Sequence, residues 1–369
     1  MCAFGAIVWP PRLPRLRGAN ILVATRHGAT CPAGQSTFLG RTHLAQITRR
    51  TFATGAAAAA AVPIAGQRAH AAYPGNLTVR FIVGFTPGGA QDILGRVVSD
   101  RLGALWGSPT VVENVAGAGG NLAMDRVAKG PTDGSQICIL PPGIATNPFL
   151  YSKTPFDPEK DLIPLSQVAT LGNLLCVRKD LPVNSVAELI EYAKKNPGKL
   201  NFASSGVGTT VHLSGELFKR MAGIEMVHVA YRGSAPALND LLGGQVDLIF
   251  DNITSIIGHA RSGNVKALGI TTAARSSLAP EFPVVADTVP GYETTSWSGV
   301  AVRAGTPKEI CDKLEADTRK ICQDPILKDK LATLIAEPVG SSAAEFQAFV
   351  QAERAKWGKL ITDIKVKLE

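Results

Sequence analysis

The sequence predicts an α/β protein in two lobes, and three observations carry this prediction. Beyond Ala72, apolar strand patterns, glycine turns and amphipathic helical patterns alternate, which is typical of parallel sheets with crossover helices. The composition shifts near Thr170 and again around Gly291, so two outer segments bracket a middle one. The alternation ends in two long helical patterns, over 308–322 and 342–365. We therefore expect the chain to cross between two lobes more than once.

The first lobe opens with five elements in order. LTVRFIVGF over 77–85 is a continuous apolar run and predicts a buried strand, and 92–106 places apolar residues at helical spacing. The strand PTVVENV, the glycine turn GAGGN, the helix LAMDRVAK and the strand SQICIL follow. This order predicts strand–helix–strand units, whose strands lie parallel in one sheet.

The middle segment repeats the pattern with strands of its own. Helices are predicted at SVAELIEYAKKN, VHLSGELFKRMAG and APALNDLLGG. Strands are predicted at LLCVRK, LNFASS, EMVHVAY, QVDLIFDN and VKALGIT. Ligands of such folds bind outside the carboxyl ends of the strands or between lobes, so the turns after these strands are the candidate site.

The basic charge of the chain is concentrated before the first predicted strand. The chain carries 38 Lys and Arg against 30 Asp and Glu, a formal net charge of +8. Residues 1–71 contain eight arginines and no lysine, aspartate or glutamate, so the remainder is neutral overall. Because nucleic-acid binding needs basic residues on a folded face, this distribution excludes a nucleic-acid partner.

The same segment has the order of a secretion signal. TRRTF over 48–52 precedes an alanine-rich apolar run over 55–65, and AHA over 69–71 supplies small residues for cleavage. The pair Arg49–Arg50 before a weakly apolar run resembles a twin-arginine signal. An anchor helix is the alternative, but the run is far shorter than the roughly 20 residues that span a bilayer. We expect a leader over 1–71, its removal before Ala72, and export to the periplasm.

The six cysteines show no disulfide framework. Cys138 and Cys176 lie in apolar strand patterns, as expected of buried free thiols. Cys311 and Cys322 are about three turns, roughly 16 Å, apart on one predicted helix, which is too far for a disulfide. The other two lie in the leader. Without a cysteine or histidine cluster, we expect neither a metal nor another cofactor.

Three glycine-rich turns connect a predicted strand to a predicted helix. TPGGAQD over 86–92 and GAGGN over 117–121 lie in the first lobe, and SSGVGTT over 204–210 lies in the middle segment. Glycine permits positive φ and close approach, and the first amides of a helix lack intrahelical partners. Such helix starts attract carboxylates and phosphates. No turn matches a nucleotide fingerprint, so the expected ligand is a small anion held by neutral donors.

Six longer phrases occur in order along 73–369. They are YPGNLTVRFIVGFTPGGAQDILGR, VVENVAGAGGN, ASSGVGTTVHLSGELF, VHVAYRGSAPALNDLLGGQVDLIFDN, VPGYETTSWSGV and AEPVGSSAAEF. On these phrases the chain resembles the Bug-type receptors, the periplasmic substrate-binding components of tripartite tricarboxylate transporters. The resemblance implies a two-lobed periplasmic-binding-protein fold, the Venus flytrap, with crossing strands as its hinge. Residues 72–170 with 295–369 would form one lobe and residues 171–294 the other.

The resemblance also implies where a ligand binds. In such receptors the first glycine turn and the serine-rich middle turn hold one carboxylate through backbone amides, hydroxyls and ordered water. The expected ligand contacts in this sequence are Phe85, Thr86, Gly88, Gly89, Asp92, Asn147, Ser204, Ser205, Gly206, Thr209, His212, Asp251 and Asn252.

Two positions depart from the pattern of these receptors. Gln91 stands where they usually offer a small hydroxyl residue before Asp92. PPGIATNP over 141–148 stands where a small polar turn is common, and its first two prolines remove two backbone donors. Both departures bear on which carboxylate is bound.

Some of these side chains have structural alternatives. His212 either contacts the ligand or holds the start of its helix. Asp251 and Asn252 either face the cleft or cap the helix that begins near Thr254. Asp92 is expected to cap the helix after the first glycine turn.

Three further residues also have a structural alternative to ligand binding. Trp297 and Tyr231 either form the floor of the site or fill the core. Arg232 has the chemistry of a carboxylate clamp, but such receptors often have lysine there, so we expect a solvated residue at the rim.

These observations predict an extracytoplasmic receptor, expected to be a monomer, that presents a small carboxylate to membrane permease subunits. A sensor that presents its ligand-bound form to a membrane signalling partner would use the same fold. An enzyme acting on a carboxylate is the remaining alternative, with Ser204 or Ser205 as nucleophile and His212 as base. The G-x-S-x-G elbow is absent, however, and helix geometry separates His212 from either serine by about two turns.

Overall fold

The part of the chain that the structure describes contains ten strands, ten α-helices and two short 3-10 helices. The computed structural model describes residues 73–364, with side chains up to residue 362, so the expected leader and its cleavage site lie outside the described residues. The strands are β1 (Val79–Val83), β2 (Thr110–Asn114), β3 (Gln136–Leu140), β4 (Leu162–Arg178), β5 (Asn201–Ser204), β6 (Val227–Ala230), β7 (Leu248–Asn252), β8 (Val265–Ile270), β9 (Thr295–Arg303) and β10 (Ala336–Pro338). The helices are α1 (Ala90–Trp106), α2 (Asn121–Ala128), α3 (Gly143–Leu150), α4 (Val186–Lys195), α5 (Thr210–Ala222), α6 (Ser234–Leu242), α7 (Ile253–Arg261), α8 (Lys308–Gln323), α9 (Pro325–Thr333) and α10 (Ala343–Ile364).

The first sheet is built around β1. This strand pairs in parallel with β2 on one side and β3 on the other, and β9 then pairs antiparallel with β3 and with β4. Phe81 and Val83 are buried together with Leu94 and Val98 of α1 in one core cluster. The apolar residues at helical spacing in α1 thus cover the sheet, as the sequence pattern predicts.

The second sheet is formed by strands of the middle segment. β5 pairs in parallel with β6 and β7, while the carboxyl half of β4 pairs antiparallel with β7 and β8. The core cluster on this sheet includes Phe202, Phe218, Phe250 and Tyr292. Three of these four rings contact one another, with centroids 5.3 to 6.3 Å apart.

Strand β4 passes from one sheet to the other. Its residues up to Gly172 pair with β9, and from Asn173 onward they pair with β7. The chain returns near the same point, because the Thr294 amide donates to Thr271 and β9 begins opposite Gly172. The predicted lobe boundaries at 170/171 and 294/295 stay predictions; the change of sheet in β4 falls between Gly172 and Asn173.

The prediction of a parallel sheet was wrong in part. The βα units are parallel, but β4 and β9 run antiparallel to their neighbours and join both halves. Pro141 and Pro142 of PPGIATNP lie just before helix α3, with Pro142 as its N-cap, and Pro148 lies inside the helix. The two donors that Pro141 and Pro142 lack belong to positions before the first helical turn, where an amide has no intrahelical partner.

All four cysteines of the described residues are free thiols. Cys138, Cys176 and Cys322 are buried, and Cys311 is partly buried. Burial raises the pKa of Cys138 and of Cys322 to about 12. Within the described part of the chain, no helix combines the length and the apolar character that crossing a bilayer requires.

Candidate functional site

A cavity lies between the two sheets, where the turns after their strands meet. Protein atoms leave about 380 Å³ there, including solvent at its mouth. The lining residues are Phe85, Gly89, Ala90, Gln91, Pro141, Pro142, Gly143, Ser205, Thr209, Thr210, Ser234, Asn252 and Ser296.

Five helices begin at this cavity. The N-cap residues Gly89 of α1, Pro142 of α3, Thr209 of α5 and Asn252 of α7 all line it, as does Ser234, the first residue of α6. The first amides of a helix have no intrahelical acceptor, and the helix dipole adds partial positive charge at this end. Five converging helix starts therefore give the cavity an affinity for anions without any cationic side chain.

The first glycine turn is held by Asp92. Its carboxylate accepts hydrogen bonds from the Gly88 amide at 2.9 Å, from Arg96 Nε at 3.0 Å and from Asn114 Nδ2 at 2.9 Å. Although burial alone acts in the opposite direction, these hydrogen bonds keep the pKa of Asp92 below its ordinary value. Gly88 has a φ of 86°, which favours glycine. Asp92 thus lies behind the turn, and its predicted contact with a ligand stays a prediction.

The middle turn directs two neighbouring serines to opposite sides. Ser204 is completely buried, accepts a hydrogen bond from the Gly206 amide, and shares another with His228 Nε2 at 2.7 Å. Ser205 lines the cavity instead. Thr209 caps α5 by accepting from the His212 amide, and its hydroxyl donates to the Gly206 carbonyl. Ser205 and Thr209 are therefore the hydroxyl residues that this turn brings to the cavity.

Two stacked histidines support the middle turn from behind. The rings of His212 and His228 lie 4.1 Å apart, and His228 also stacks on Phe202 at 4.8 Å. His212 Nδ1 accepts from the Gly208 amide, so this nitrogen carries no proton. Burial, followed by the charge of Lys219, lowers the pKa of His228 to about 4, and burial lowers the pKa of His212 strongly. Both rings are neutral near pH 7. His212 holds the Gly208 amide from behind the turn, and its predicted contact with a ligand stays a prediction.

Asp251 is buried directly behind the cavity wall. It is fully inaccessible, and Oδ1 accepts a hydrogen bond from the Ser234 hydroxyl at 2.7 Å. Burial raises the pKa of Asp251 to about 7, although the hydrogen bonds from Ser234 and the Asn252 amide act in the opposite direction. Asn252 itself faces the cavity, donates to Asn173 Oδ1, and makes no capping hydrogen bond to α7.

Gln91 forms a wall of the cavity. Its Nε2 donates to the Trp297 carbonyl at 2.9 Å, and its Oε1 accepts from the Ser298 hydroxyl at 3.0 Å. The side chain therefore links α1 to β9 across the space that a smaller residue would leave open. Trp297 belongs to the core, because its ring is fully buried against Phe346.

Helix α3 links the glycine turn over 117–121 to the middle turn over 204–210. Asn147 Nδ2 donates to the Gly119 carbonyl at 3.1 Å, and the Thr146 hydroxyl donates to the Gly208 carbonyl at 2.7 Å. The Tyr151 hydroxyl donates to the Val207 carbonyl at 3.2 Å. Asn147 does not line the cavity, so its predicted contact with a ligand stays a prediction.

A second cavity adjoins the first. Phe85 and Ser205 line both cavities, and the second also contains Tyr231 and Arg232. Arg232 is exposed, whereas the Tyr231 hydroxyl donates to Asp240 at 2.6 Å. Of the predicted contacts, Gly206 lies at this second cavity, and Thr86 lines neither of the two cavities.

The sequence analysis predicted five of the residues that line the first cavity and missed others. Phe85, Gly89, Ser205, Thr209 and Asn252 were predicted contacts. The missed polar residues are Thr210, Ser234 and Ser296. For Ser234 a signal existed, since it follows Gly233 at the start of a predicted helix, in the same arrangement as the three turns that were nominated.

The lining is uncharged. Its polar side chains are amides and hydroxyls, and no Lys, Arg, Asp, Glu or His is among them. Within residues 73–362, no group of three His, Cys, Asp or Glu side chains is placed to hold a metal. The arrangement offers many neutral donors to a small anion.

Comparison with known proteins identifies the family of this chain. Residues 94–366 match the family model described as tripartite tricarboxylate transporter family receptor. The chain belongs to this receptor family. It is 34% identical over 342 residues to a UPF0065 protein from the tcbD-tcbE intergenic region of Pseudomonas sp. strain P51, covering 92% of this chain and 98% of that protein. It is 31% identical to protein BugT of Bordetella pertussis over 300 residues, covering 80% and 92% of the two chains.

Three solved structures show the same fold. R. palustris Rpa4515 with adipate has a TM-score of 0.78 and 40% identity, covering 80% of this chain and all of that one. The periplasmic binding protein BugD has a TM-score of 0.76 and 33% identity, with coverages of 79% and 99%. MatC from Rhodopseudomonas palustris with bound malate has a TM-score of 0.73 and 29% identity, with coverages of 77% and 98%. The predicted family and the two-lobed periplasmic-binding-protein fold with crossing strands are confirmed.

Members of this receptor family are solute-binding proteins rather than enzymes. No described hydrogen bond joins His212 to Ser204 or Ser205, the base and nucleophiles of the enzyme alternative. Ser204 bonds to His228 rather than to His212, and Ser204 does not line the cavity. Ser205 lines the cavity, but no described hydrogen bond joins it to a histidine.

Proposed function

We propose that this receptor binds a small carboxylate in the cavity between its two sheets and presents it to a membrane transporter in the periplasm. The observation that carries this proposal is the convergence of five helix starts on an uncharged cavity. Amides at helix starts bind carboxylates through hydrogen bonds and the helix dipole together.

The two sheets supply donors from opposite sides. Gly89 and Ala90 lie at the start of α1, after β1 of the first sheet. Ser205 and Thr209 follow β5 of the second sheet, and Asn252 ends β7. A carboxylate that accepts from both sides stabilises the arrangement in which the two sheets approach each other. Binding then shifts an equilibrium between open and closed forms, and a membrane partner would recognise the closed form.

Relatives support both the ligand class and the transporter. Rpa4515 was solved with adipate and MatC with malate, which are both dicarboxylates. The family is described by its role with tripartite transporters. Export through a twin-arginine signal and a monomeric state belong to the same proposal.

A thermal-shift screen tests the ligand class. The panel contains adipate, malate, citrate, glutamate and benzoate, with neutral adipamide as the matched uncharged molecule. A ligand at a hundred times its Kd adds about 2.7 kcal/mol of stability, which raises Tm by several degrees. We expect a rise with one class of carboxylate and none with adipamide. A rise with adipamide equal to that with adipate would contradict an anion site.

The variant Gly89→Val places the effect in the cavity. A β-carbon at position 89 would lie 3.6 Å from Ser234 Cβ, an ordinary contact, so the backbone tolerates it while the larger side chain enters the cavity. We expect the ligand-induced rise in Tm to vanish. Gly258→Val is the matched control, because a β-carbon there meets nothing within 4 Å.

Crosslinking in membranes separates transport from sensing. Recovery of a permease indicates a transport receptor, and recovery of a signalling protein indicates a sensor.

A further inference from the structure

The hydroxyl of Ser234 stands between a buried carboxyl and the cavity. It lines the cavity and donates to Asp251 Oδ1 at 2.7 Å. The other carboxyl oxygen, Oδ2, is buried and has no hydrogen-bond partner among the described residues. An ionised carboxylate that is fully buried with so few donors is costly, so this group is poised to bind a proton.

The protonation state of Asp251 decides what Ser234 offers to the cavity. A hydroxyl has one hydrogen and two lone pairs. While Asp251 is ionised, the Ser234 hydrogen points to Oδ1, and lone pairs face the cavity. Once Asp251 is protonated, its own O–H donates to Ser234 Oγ, and the Ser234 hydrogen is free to point into the cavity. Protonation thus changes Ser234 from an acceptor into a donor.

We propose that capture of a carboxylate in this cavity takes up one proton on Asp251, with Ser234 as the donor that this proton makes available to the ligand. The inference rests on the proposed function. The proton comes from solvent and remains on Asp251, the hydrogen bond between Asp251 and Ser234 reverses its direction, and no covalent bond to the ligand forms. An anion in the cavity also disfavours a second negative charge close by, which adds to the same preference.

In the part of the chain that the structure describes, no cation compensates the charge of Asp251. It forms no ion pair within residues 73–362, and burial, Ser234 and Asn252 account for its pKa of about 7. Burial, and then the charge of Asp251, raises the pKa of Cys176, so that thiol stays neutral. The titratable groups on the elements packed against β7 are Cys176 and Arg178 of β4, His212, Glu216, Lys219 and Arg220 of α5, Asp240 of α6, and His259 and Arg261 of α7.

The charged groups nearby have partners elsewhere. Arg178 pairs with Asp180 and Asp247, and Lys219 pairs with Glu216. The neighbouring strand β5 has no titratable residue. A proton is therefore the cation that is available to Asp251 when an anion occupies the cavity.

Isothermal titration calorimetry with adipate as the probe measures this proton. At pH 8, titrations in triethanolamine and in Tris, two cationic buffers whose ionisation enthalpies differ, give the number of protons bound per adipate. We expect close to one for the natural sequence, with Kd rising about tenfold per pH unit between pH 7.5 and 9, where adipate stays fully ionised.

Two variants separate the coupling from a structural effect. Asp251→Asn has an amide that donates to Ser234 permanently, so we expect no proton uptake and a Kd that does not change with pH. Ser234→Ala lacks the donor, and we expect weaker binding at pH 6.5, where the natural protein binds well. Glu225→Gln, at an exposed position, is the control that keeps both the uptake and the pH dependence.

Unfolding in urea between pH 4 and 8 tests Asp251 without a ligand. A carboxyl whose pKa is raised in the folded state stabilises the protein at low pH, and this contribution disappears as pH rises toward about 7. The unfolding constant of the natural protein should rise relative to that of Asp251→Asn by about a thousandfold, tenfold for each pH unit between about 4 and 7.

The outcomes are distinguishable. Adipate binding without proton uptake, or a constant difference in stability between the two proteins, overturns the inference while the proposed function stands. Proton release on binding also overturns it, because the complex would then hold fewer protons than the free protein and adipate. If no acid of the panel binds at pH 6.5 or 8, both the proposed function and the proton uptake on binding are contradicted.

Discussion

Gly233 and Thr86 lie so close that a β-carbon on Gly233 would come within 2.1 Å of Thr86 Oγ1 and 2.9 Å of its amide nitrogen. Thr86 belongs to the turn after β1 of the first sheet, and Gly233 is the N-cap of α6, beside the second sheet. The two turns therefore meet without room for a side chain at position 233. This contact brings Gly89 and Ser234 to the same wall of the cavity.

Gly233→Ala should prevent this approach and weaken ligand binding at least tenfold. The φ of Gly233 is 164°, which is extended backbone that alanine adopts, so we expect the free energy of unfolding to change by less than about 1 kcal/mol. Small-angle scattering in saturating ligand should then give a larger radius of gyration than for the natural sequence. Calorimetry gives the affinity.

Gly258→Ala is the control for this prediction, because a β-carbon at position 258 meets nothing within 4 Å. It should bind and close as the natural protein does. Unchanged affinity of Gly233→Ala would show that closure at these two turns is not needed for binding.

Sequence reasoning located the cavity because helix starts after parallel strands meet at one edge of a sheet. By that rule Gly89, Thr209 and Asn252 were predicted to lie together, and all three line the cavity. The rule could not say which of two adjacent side chains faces the cavity. Ser204 and Ser205 were both nominated, but consecutive residues leaving a strand point to opposite sides, and one of them meets His228 instead.

The long strand β4 shows a second limit of the sequence pattern. Its carboxyl half, LLCVRK, was predicted, whereas the half before it was not. Pro164, Ser166 and Gln167 interrupt the apolar pattern there, and the pairing with β9 shifts register at these residues. Irregular pairing of this kind depends on the partner strand, which is more than a hundred residues away in sequence.

Gln91→Ser should change which acid is preferred. The smaller side chain opens the space between α1 and β9, so we expect the ratio of affinities for six-carbon over four-carbon diacids to rise at least tenfold. Loss of the hydrogen bonds to Trp297 and Ser298 should lower the free energy of unfolding by about 1 to 3 kcal/mol. Calorimetry with adipate and malate measures the ratio, and urea unfolding measures the stability.

The exposed residue Gln347 provides the control for Gln91, since its amide bonds to a backbone carbonyl far from the cavity. Gln347→Ser should leave the ratio unchanged. An unchanged ratio in Gln91→Ser as well would remove Gln91 from the determinants of specificity.

Ligand affinity should depend weakly on salt. No charged side chain lines the first cavity, so screening by salt has little to act on there. We expect Kd to change by less than about threefold between 0.05 and 0.5 M NaCl. Arg232 lines the second cavity and is exposed, so Arg232→Ala should also change Kd by less than about threefold. A steep loss of affinity with salt that disappears in Arg232→Ala would instead identify Arg232 as a carboxylate clamp.

Acid should destabilise the protein through His228. The pKa of this histidine is about 4 in the folded protein, mainly because of burial, against about 6.5 when unfolded. Between these two values the unfolded chain binds more protons, so stability falls as pH falls from 6.5 toward 4. Relative to His228→Gln, the natural protein should lose about 3 kcal/mol of unfolding free energy between pH 7.5 and 4. Urea unfolding at both pH values measures this difference, and Asp251 cancels because both proteins contain it. His259→Gln, on the last turn of α7, should behave like the natural protein, and an equal acid loss in His228→Gln would show that another group is responsible.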